Sequence, residues 1–288
     1  MKLIPSKQSL GAKVLDLDLS QKINTTQLNQ LIQWLGEYGV LTFPKQEVTP
    51  QQLKDFAIHF GELEINVAKI AQDPKIPEMM TLSNMVDNGK PLGLSDAGQD
   101  WHTDMSYSRQ IAFANILYGI KIPMRDGKSL GNTEFCNMHA AYNALPKEIA
   151  QELEGKTITH DFNKFWEKMR REKGSTRPPL TPEQLQSKPP VSHPAIMVHP
   201  ITGKKVLYAN PGYSIRINEL DQKASDELLE YLFAHQLQAE FRYAFEWEEK
   251  SVLMWDNMGT IHNAVADYAP HEHRYIQRFQ VAANRFFN

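Results

Sequence analysis

Only one residue in 288, Cys136, is a cysteine. An intramolecular disulfide and a cysteine-rich zinc site are therefore excluded, and such usage suits a reducing compartment. Nothing in the sequence implies a partner that would activate Cys136 as a nucleophile. Long apolar runs are also missing. No stretch approaches the roughly 18 residues of a membrane span, and Met1 to Leu10 has no apolar centre of signal-peptide length. A cytoplasmic protein is expected. No charge of one sign predominates, the formal net charge being -3, so neither nucleic acid nor a membrane surface is an expected partner. The most basic stretch, Lys164 to Lys173, carries Glu167 and Glu172 and reads as a solvated helix face. A glycine-rich phosphate loop and regular βαβ alternation are both absent, which removes the nucleotide-binding folds.

What remains is an ordinary globular composition, 41% hydrophobic and 23% charged, able to bury a sizeable core. Thr25 to Tyr38 places Leu28, Leu31, Ile32 and Leu35 at helical spacing, with Gly39 as the stop. Val40 to Phe43 reads as a strand. Thr49-Pro50-Gln51-Gln52 supplies an N-cap, an N1 proline and a capping-box glutamine for a second helix. Strand-like runs then dominate: Met80 to Leu82, Ile111 to Ile120, Ala195 to His199, Lys205 to Ala209, Ser251 to Trp255 and Tyr275 to Ala283. Helices are expected at Met138 to Leu145, Pro146 to Leu153 and Ser225 to Gln236, the last capped by Ser225. The order is α+β with a mainly β core. Two long loops, Asn88 to Asp100 and Gly174 to Pro190, are either surface connections or lids.

Among ten histidines, one stands at ligand spacing beside a carboxylate, in His102-Thr103-Asp104. In extended chain, residues two apart project from one face, so an imidazole and a carboxylate there can grip one cation. The best-placed third ligand is His262, after an apolar strand and in a polar turn, with His271-Glu272-His273 as a competing pair. Two histidines and one carboxylate on one face of a metal leave three positions open, the arrangement of non-haem Fe(II) oxygenases. Near the C-terminus Arg274, Ile276, Arg278 and Gln280 share one strand face. The two arginines, about 13 Å apart along an extended strand, suit two separate anions if they point inward.

Together these residues resemble the TauD/TfdA family of taurine and aryloxyalkanoate dioxygenases. The likeness spans nearly the whole chain and is carried by Trp101-His102-Thr103-Asp104-Met105-Ser106-Tyr107, Gly131-Asn132-Thr133 and Trp255-Asp256-Asn257 through His262 to Ala266-Asp267-Tyr268. It implies a single domain over residues 1–288 with a double-stranded β-helix, or jelly-roll, core and flanking helices. It also implies Fe(II) held by His102, Asp104 and His262, with 2-oxoglutarate and O2 as cosubstrates. Thr133 and Arg274 would hold the distal carboxylate of 2-oxoglutarate, and Arg278 would face an anionic substrate, with Phe162 and Tyr213 as pocket walls. The implied reaction is hydroxylation with release of succinate and CO2. Desaturation or another oxidative rearrangement is the alternative within the family, and a non-catalytic metal-binding jelly roll the alternative outside it. A homo-oligomer is expected by the same analogy. Two departures are visible. The stretch from His262 to Arg274 is one residue longer than in taurine-type members, which predicts a bulge. Glu64-Ile65-Asn66-Val67 stands where taurine-type enzymes carry sulfonate-binding histidines, so taurine is not the expected substrate.

Overall fold

A computed structural model describes residues 1–65, 71–173, 175 and 177–287. Asn66 and Val67, and Gly174 and Thr176 of the second long loop, lie outside the described residues.

Two strands explain the architecture. Val252–Asp256 is buried at every position, and Ala112–Lys121 at all but its last two. A strand apolar on both sides needs cover on both faces. On one face, Leu253, Trp255 and Leu117 pack with Phe135 and Phe245 of a second sheet and with Trp247 just beyond it. On the other, Met254, Ile116 and Phe279 pack with Leu31, Leu35, Leu53 and Phe56 from the two N-terminal helices. The large sheet runs Lys2–Pro5, Ala12–Leu15, Val40–Phe43, Val252–Asp256, Ala112–Lys121, Tyr275–Ala282, Met80–Ser83. It is antiparallel except where Ala12–Leu15 runs parallel to Val40–Phe43. Facing it is a three-stranded antiparallel sheet, Arg242–Phe245, Thr133–Asn137, Thr260–Ala264. The Phe135 and Trp255 rings, 5.5 Å apart and edge to face, join the two layers. This is the expected jelly-roll core with helices outside it.

Local chemistry sets the flanking elements. Thr25–Tyr38 is helical as expected, opened by a capping box between Asn24 and Gln27 and closed by Gly39 at φ 68. A side chain at Gly39 would be strained at that angle, and its Cβ would lie 2.6 Å from Leu10 Cδ2. Pro50–Ala57 starts from the Thr49 and Gln52 capping box.

Three expectations need correction. The late helix spans Gln222–Gln236 and is capped by Asp221; the Ser225 hydroxyl instead accepts the Ile217 N–H at 2.8 Å. His262 lies within the strand Thr260–Ala264, in place of a turn. The Lys164 to Lys173 stretch belongs to the helix Phe162–Glu172, whose Phe165, Trp166 and Met169 are buried, so only one face is solvated. Among the described residues, no helix is long and apolar enough to cross a membrane.

Candidate active site

Alternation along the smaller sheet decides which side chains enter the sandwich. Phe135 is directly opposite His262, and Thr133 opposite Ala264. Positions two apart share a face, so Thr133, Phe135, His262 and Ala264 all point inward. The His262 ring accordingly lies 4.6 Å from that of Trp255 on the large sheet. His102 is strapped beside it by two main-chain hydrogen bonds, His102 N–H to the His262 carbonyl at 3.0 Å and the reverse at 2.9 Å. Asp104 follows in the turn. All three are buried, at 2%, 6% and 4% exposure for His102, Asp104 and His262.

Their donor atoms converge. His102 Nε2 is 3.7 Å from Asp104 Oδ1, and His262 Nε2 is 3.6 Å from Asp104 Oδ2. These separations are too long for hydrogen bonds, but they suit three donors each about 2 Å from one shared cation. The ring nitrogens are oriented for it. His102 Nδ1 lies 2.8 Å from the Asp100 carbonyl, to which it donates, leaving Nε2 with its lone pair toward Asp104. Burial and the neighbouring His102 push His262 well below the ordinary histidine range, so its imidazole is neutral. Burial alone would raise the Asp104 carboxyl. The Arg278 guanidinium and the two imidazoles outweigh burial and hold it far below the usual carboxylate range. The site offers two imidazole nitrogens and one carboxylate, a donor set that suits a divalent metal.

Beside the triad is a recess lined by Ala97, Gly98, Thr133, Trp255, Arg274 and Arg278, among others. Arg274, just ahead of Tyr275–Ala282, is only 6% exposed. Its Nε has no hydrogen-bond partner, and among the described residues no carboxylate lies within ion-pair distance of it. Burial pushes its guanidinium down from the ordinary arginine range, with Tyr268 opposing. The Trp255 indole N–H is likewise buried without a partner. Two orphaned donors on one recess call for an acceptor-rich ligand, and a dicarboxylate such as 2-oxoglutarate fits. Thr133 lines the same recess. Its Oγ1 accepts the Trp247 Nε1–H at 3.0 Å, so its own hydroxyl proton is free to donate. Arg278 reaches toward Asp104 Oδ2 at 3.4 Å. Both arginines therefore point inward.

A wall of rings closes the other side. Phe165 and Tyr213 lie 5.0 and 6.0 Å from the His102 ring; Tyr107 lies 4.7 Å from both Tyr213 and Phe162. Tyr213 thus touches the triad and Phe162 stands one ring farther out. Phe165 was not anticipated, although Phe165, Trp166 and Met169 form a legible helical stripe. The two long loops are also drawn in. Ala97 and Gly98 belong to the recess, and the Arg177 guanidinium pairs with Asp96 at 2.7 Å while lying over the Trp166 ring.

Other candidates are placed elsewhere. His271 and His273 are exposed, and Glu272 is bound by Arg125 at 2.5 Å. Just past Arg274, where a bulge was expected, a register shift falls between Tyr275 and Ile276. Burial pushes the Cys136 thiol up to about 12, which removes it as a nucleophile. A surface cleft between residues 122–132 and Glu246 to Glu249 contains none of the triad. A second His, His, Asp group, His139, His199 and Asp256, lies under the 256–259 turn. Its carboxylate already accepts the Met258 and Gly259 N–H groups at 3.0 Å each and faces His199 Nε2 at 2.9 Å, so it anchors the turn.

The family model described as taurine catabolism dioxygenase TauD, TfdA family matches residues 2–280. The chain belongs to this family. It is therefore a 2-oxoglutarate-dependent dioxygenase, an enzyme class that uses Fe(II), 2-oxoglutarate and O2. Pentalenolactone F synthase of Streptomyces avermitilis is 32% identical over 94% of this chain and 90% of its own length. The α-ketoglutarate-dependent 2,4-dichlorophenoxyacetate dioxygenase of Cupriavidus pinatubonensis is 31% identical, over 90% of each chain. Among solved structures, AAD-2 in complex with Mn(II) and N-oxalylglycine superposes with a TM-score of 0.81 at 27% identity, covering 98% of both chains.

Proposed function

We propose that this TauD/TfdA dioxygenase, a single domain over residues 1–288, hydroxylates a small anionic organic substrate and releases succinate and CO2. His102, Asp104 and His262 would hold Fe(II), Thr133 and Arg274 the distal carboxylate of 2-oxoglutarate, and Arg278, Phe162 and Tyr213 the substrate. The observation that carries this is Arg274: a buried guanidinium without a carboxylate, sharing a recess with Thr133 and His262. A buried, uncompensated charge is costly, so the recess is built for an anion that arrives with the cosubstrate. The anionic substrate rests on Arg278 and on relatives whose names include sulfonate and 2,4-dichlorophenoxyacetate dioxygenases.

Iron and 2-oxoglutarate, when bound at these residues, would supply the oxidising power. The chain's own part is orientation and exclusion. Arg274 and Thr133 fix one end of the cosubstrate, so its keto acid end is directed toward the triad. Arg278 lies between Asp104 and the small recess formed with Glu64 and Gln280. An anion bound there would place its carbon chain against the aromatic wall, beside the triad. Phe165, Tyr213 and the Asp96 to Arg177 pair keep bulk water from the same space.

Purified protein loaded anaerobically with Fe(II) and 2-oxoglutarate should show the weak visible metal-to-ligand charge-transfer band, and candidate anions should then drive succinate release. Well-folded, iron-loaded protein with no band would overturn the assignment. Trp247→Phe tests the orientation of Thr133 separately. It keeps the ring and deletes one neutral hydrogen bond, worth roughly 1 kcal/mol, so the apparent KM for 2-oxoglutarate should rise about 3- to 10-fold with metal affinity unchanged. An unaltered KM would show that Trp247 only fills space.

A further inference from the structure

Asp104 presents its carboxylate from an unusual stretch of chain. Met105, immediately after it, has φ 56, a left-handed conformation that a methionine adopts only where its surroundings impose it. Thr103 Oγ1 donates to the Thr260 carbonyl at 3.4 Å, and Ser106 Oγ accepts Asn210 Nδ2 at 3.1 Å. At Asp104 itself the partner is Asn257, which is fully buried. The Asp104 N–H donates to Asn257 Oδ1 at 3.2 Å, and Asn257 Nδ2 donates back to the Asp104 carbonyl at 2.8 Å. One carboxamide thus takes up both main-chain polar groups of the residue.

Asn257 is held in turn. Asn115 Nδ2 donates to Asn257 Oδ1 at 3.3 Å, and Gln280 Nε2 donates to Asn115 Oδ1 at 3.1 Å. Gln280 lines the small recess that Arg278 and Glu64 also line. A chain of three buried amides therefore runs from that recess to Asp104. Among the described residues, the contacts of the Asp104 carboxylate to Arg278 and to the two imidazoles are all long, 3.4 to 3.7 Å, so its aim toward the imidazoles comes from where its main chain is held. A metal ligand tolerates misplacement of about 0.5 Å before the site loosens.

We propose that Asn257 is a positioning residue that fixes the metal-binding carboxylate of Asp104 by gripping its main chain at both polar groups, with Asn115 and Gln280 as its buttress. The inference rests on the assignment of Asp104 as a metal ligand. A role confined to satisfying buried polar groups would lower the melting temperature of an Asn257 variant and leave the metal site unchanged. Positioning would also loosen the site.

Co(II), titrated into metal-free protein without cosubstrate and followed by its visible bands, reads the site without turnover. Asn257→Ala should bind Co(II) about 10- to 100-fold more weakly than wild type, the usual effect of losing an outer partner of a ligand, and with altered bands. Asn257→Ser, which keeps one short polar group and is the milder change should alanine fail to fold, should show a smaller loss in the same direction. Gln280→Leu should weaken binding less than Asn257→Ala. A folded Asn257 variant with wild-type Co(II) affinity and spectrum would overturn the proposal, even with a lowered melting temperature. Wild-type protein that takes up no Co(II) would overturn the ligand assignment itself and this inference with it, an outcome distinct from equal binding by both proteins.

Discussion

Arg274→Ala should raise the apparent KM for 2-oxoglutarate by on the order of 100-fold. Losing a charge-assisted, buried hydrogen bond to a carboxylate costs about 3 kcal/mol, and each 1.4 kcal/mol is about tenfold in affinity. The effect on the free protein should have the opposite character. Arg274 is buried without a carboxylate of its own among the described residues, so it carries a desolvation cost that only the ligand offsets. The apo variant should melt no lower than wild type, while the upward shift in melting temperature given by 2-oxoglutarate and metal in wild type should nearly vanish. Metal binding in the absence of cosubstrate should be unchanged, because Arg274 is not among the three clustered donors. An unchanged KM with an unchanged ligand-induced shift would remove Arg274 from the cosubstrate site.

Much of the scaffold was legible because its signals are local. Thr25–Tyr38 and Val40–Phe43 appear at the expected bounds, set by a 3.6-residue apolar stripe and a glycine stop. The runs around 112–121 and 252–256 were found because strands buried on both faces read as nearly continuous apolar sequence. Thr133–Asn137 and Thr260–Ala264 were missed for the complementary reason. They carry the polar inward residues Thr133 and His262, so neither continuous hydrophobicity nor alternation marks them. Local propensity was overridden there by the other sheet, which supplies Trp255 and the recess as cover.

The site divides in the same way. His102 and Asp104 are close in sequence and show as a pair. His262 and Arg274 are joined to them only by the fold, and the motif resemblance named them where residue chemistry alone left alternatives open. Asn257 and Trp247 reach residues 153 and 114 positions away, Asn257 by two hydrogen bonds and Trp247 by one. No periodicity can announce such a partner. Phe165 is a different case, because the helical stripe at Phe165, Trp166 and Met169 was present in the sequence, on the face opposite the charges of the solvated side.

Asp104→Ala should abolish turnover, by at least about 10^3-fold, and reduce metal affinity more than any change outside the triad. Two imidazoles would remain, without the anionic donor that Arg278 and both histidines are arranged around. The two functions of the carboxylate can be separated. In the metal-free protein Asp104 is also the nearest anion to Arg278, whose side chain is only 13% exposed. Deleting it leaves that guanidinium buried and unpaired, at a cost on the order of 3 kcal/mol. The double variant Asp104→Ala, Arg278→Ala should therefore recover most of the lost melting temperature and none of the metal binding. Recovery of both would mean that the metal is held elsewhere, and the remaining His, His, Asp cluster among the described residues, at His139, His199 and Asp256, would then be the place to mutate next.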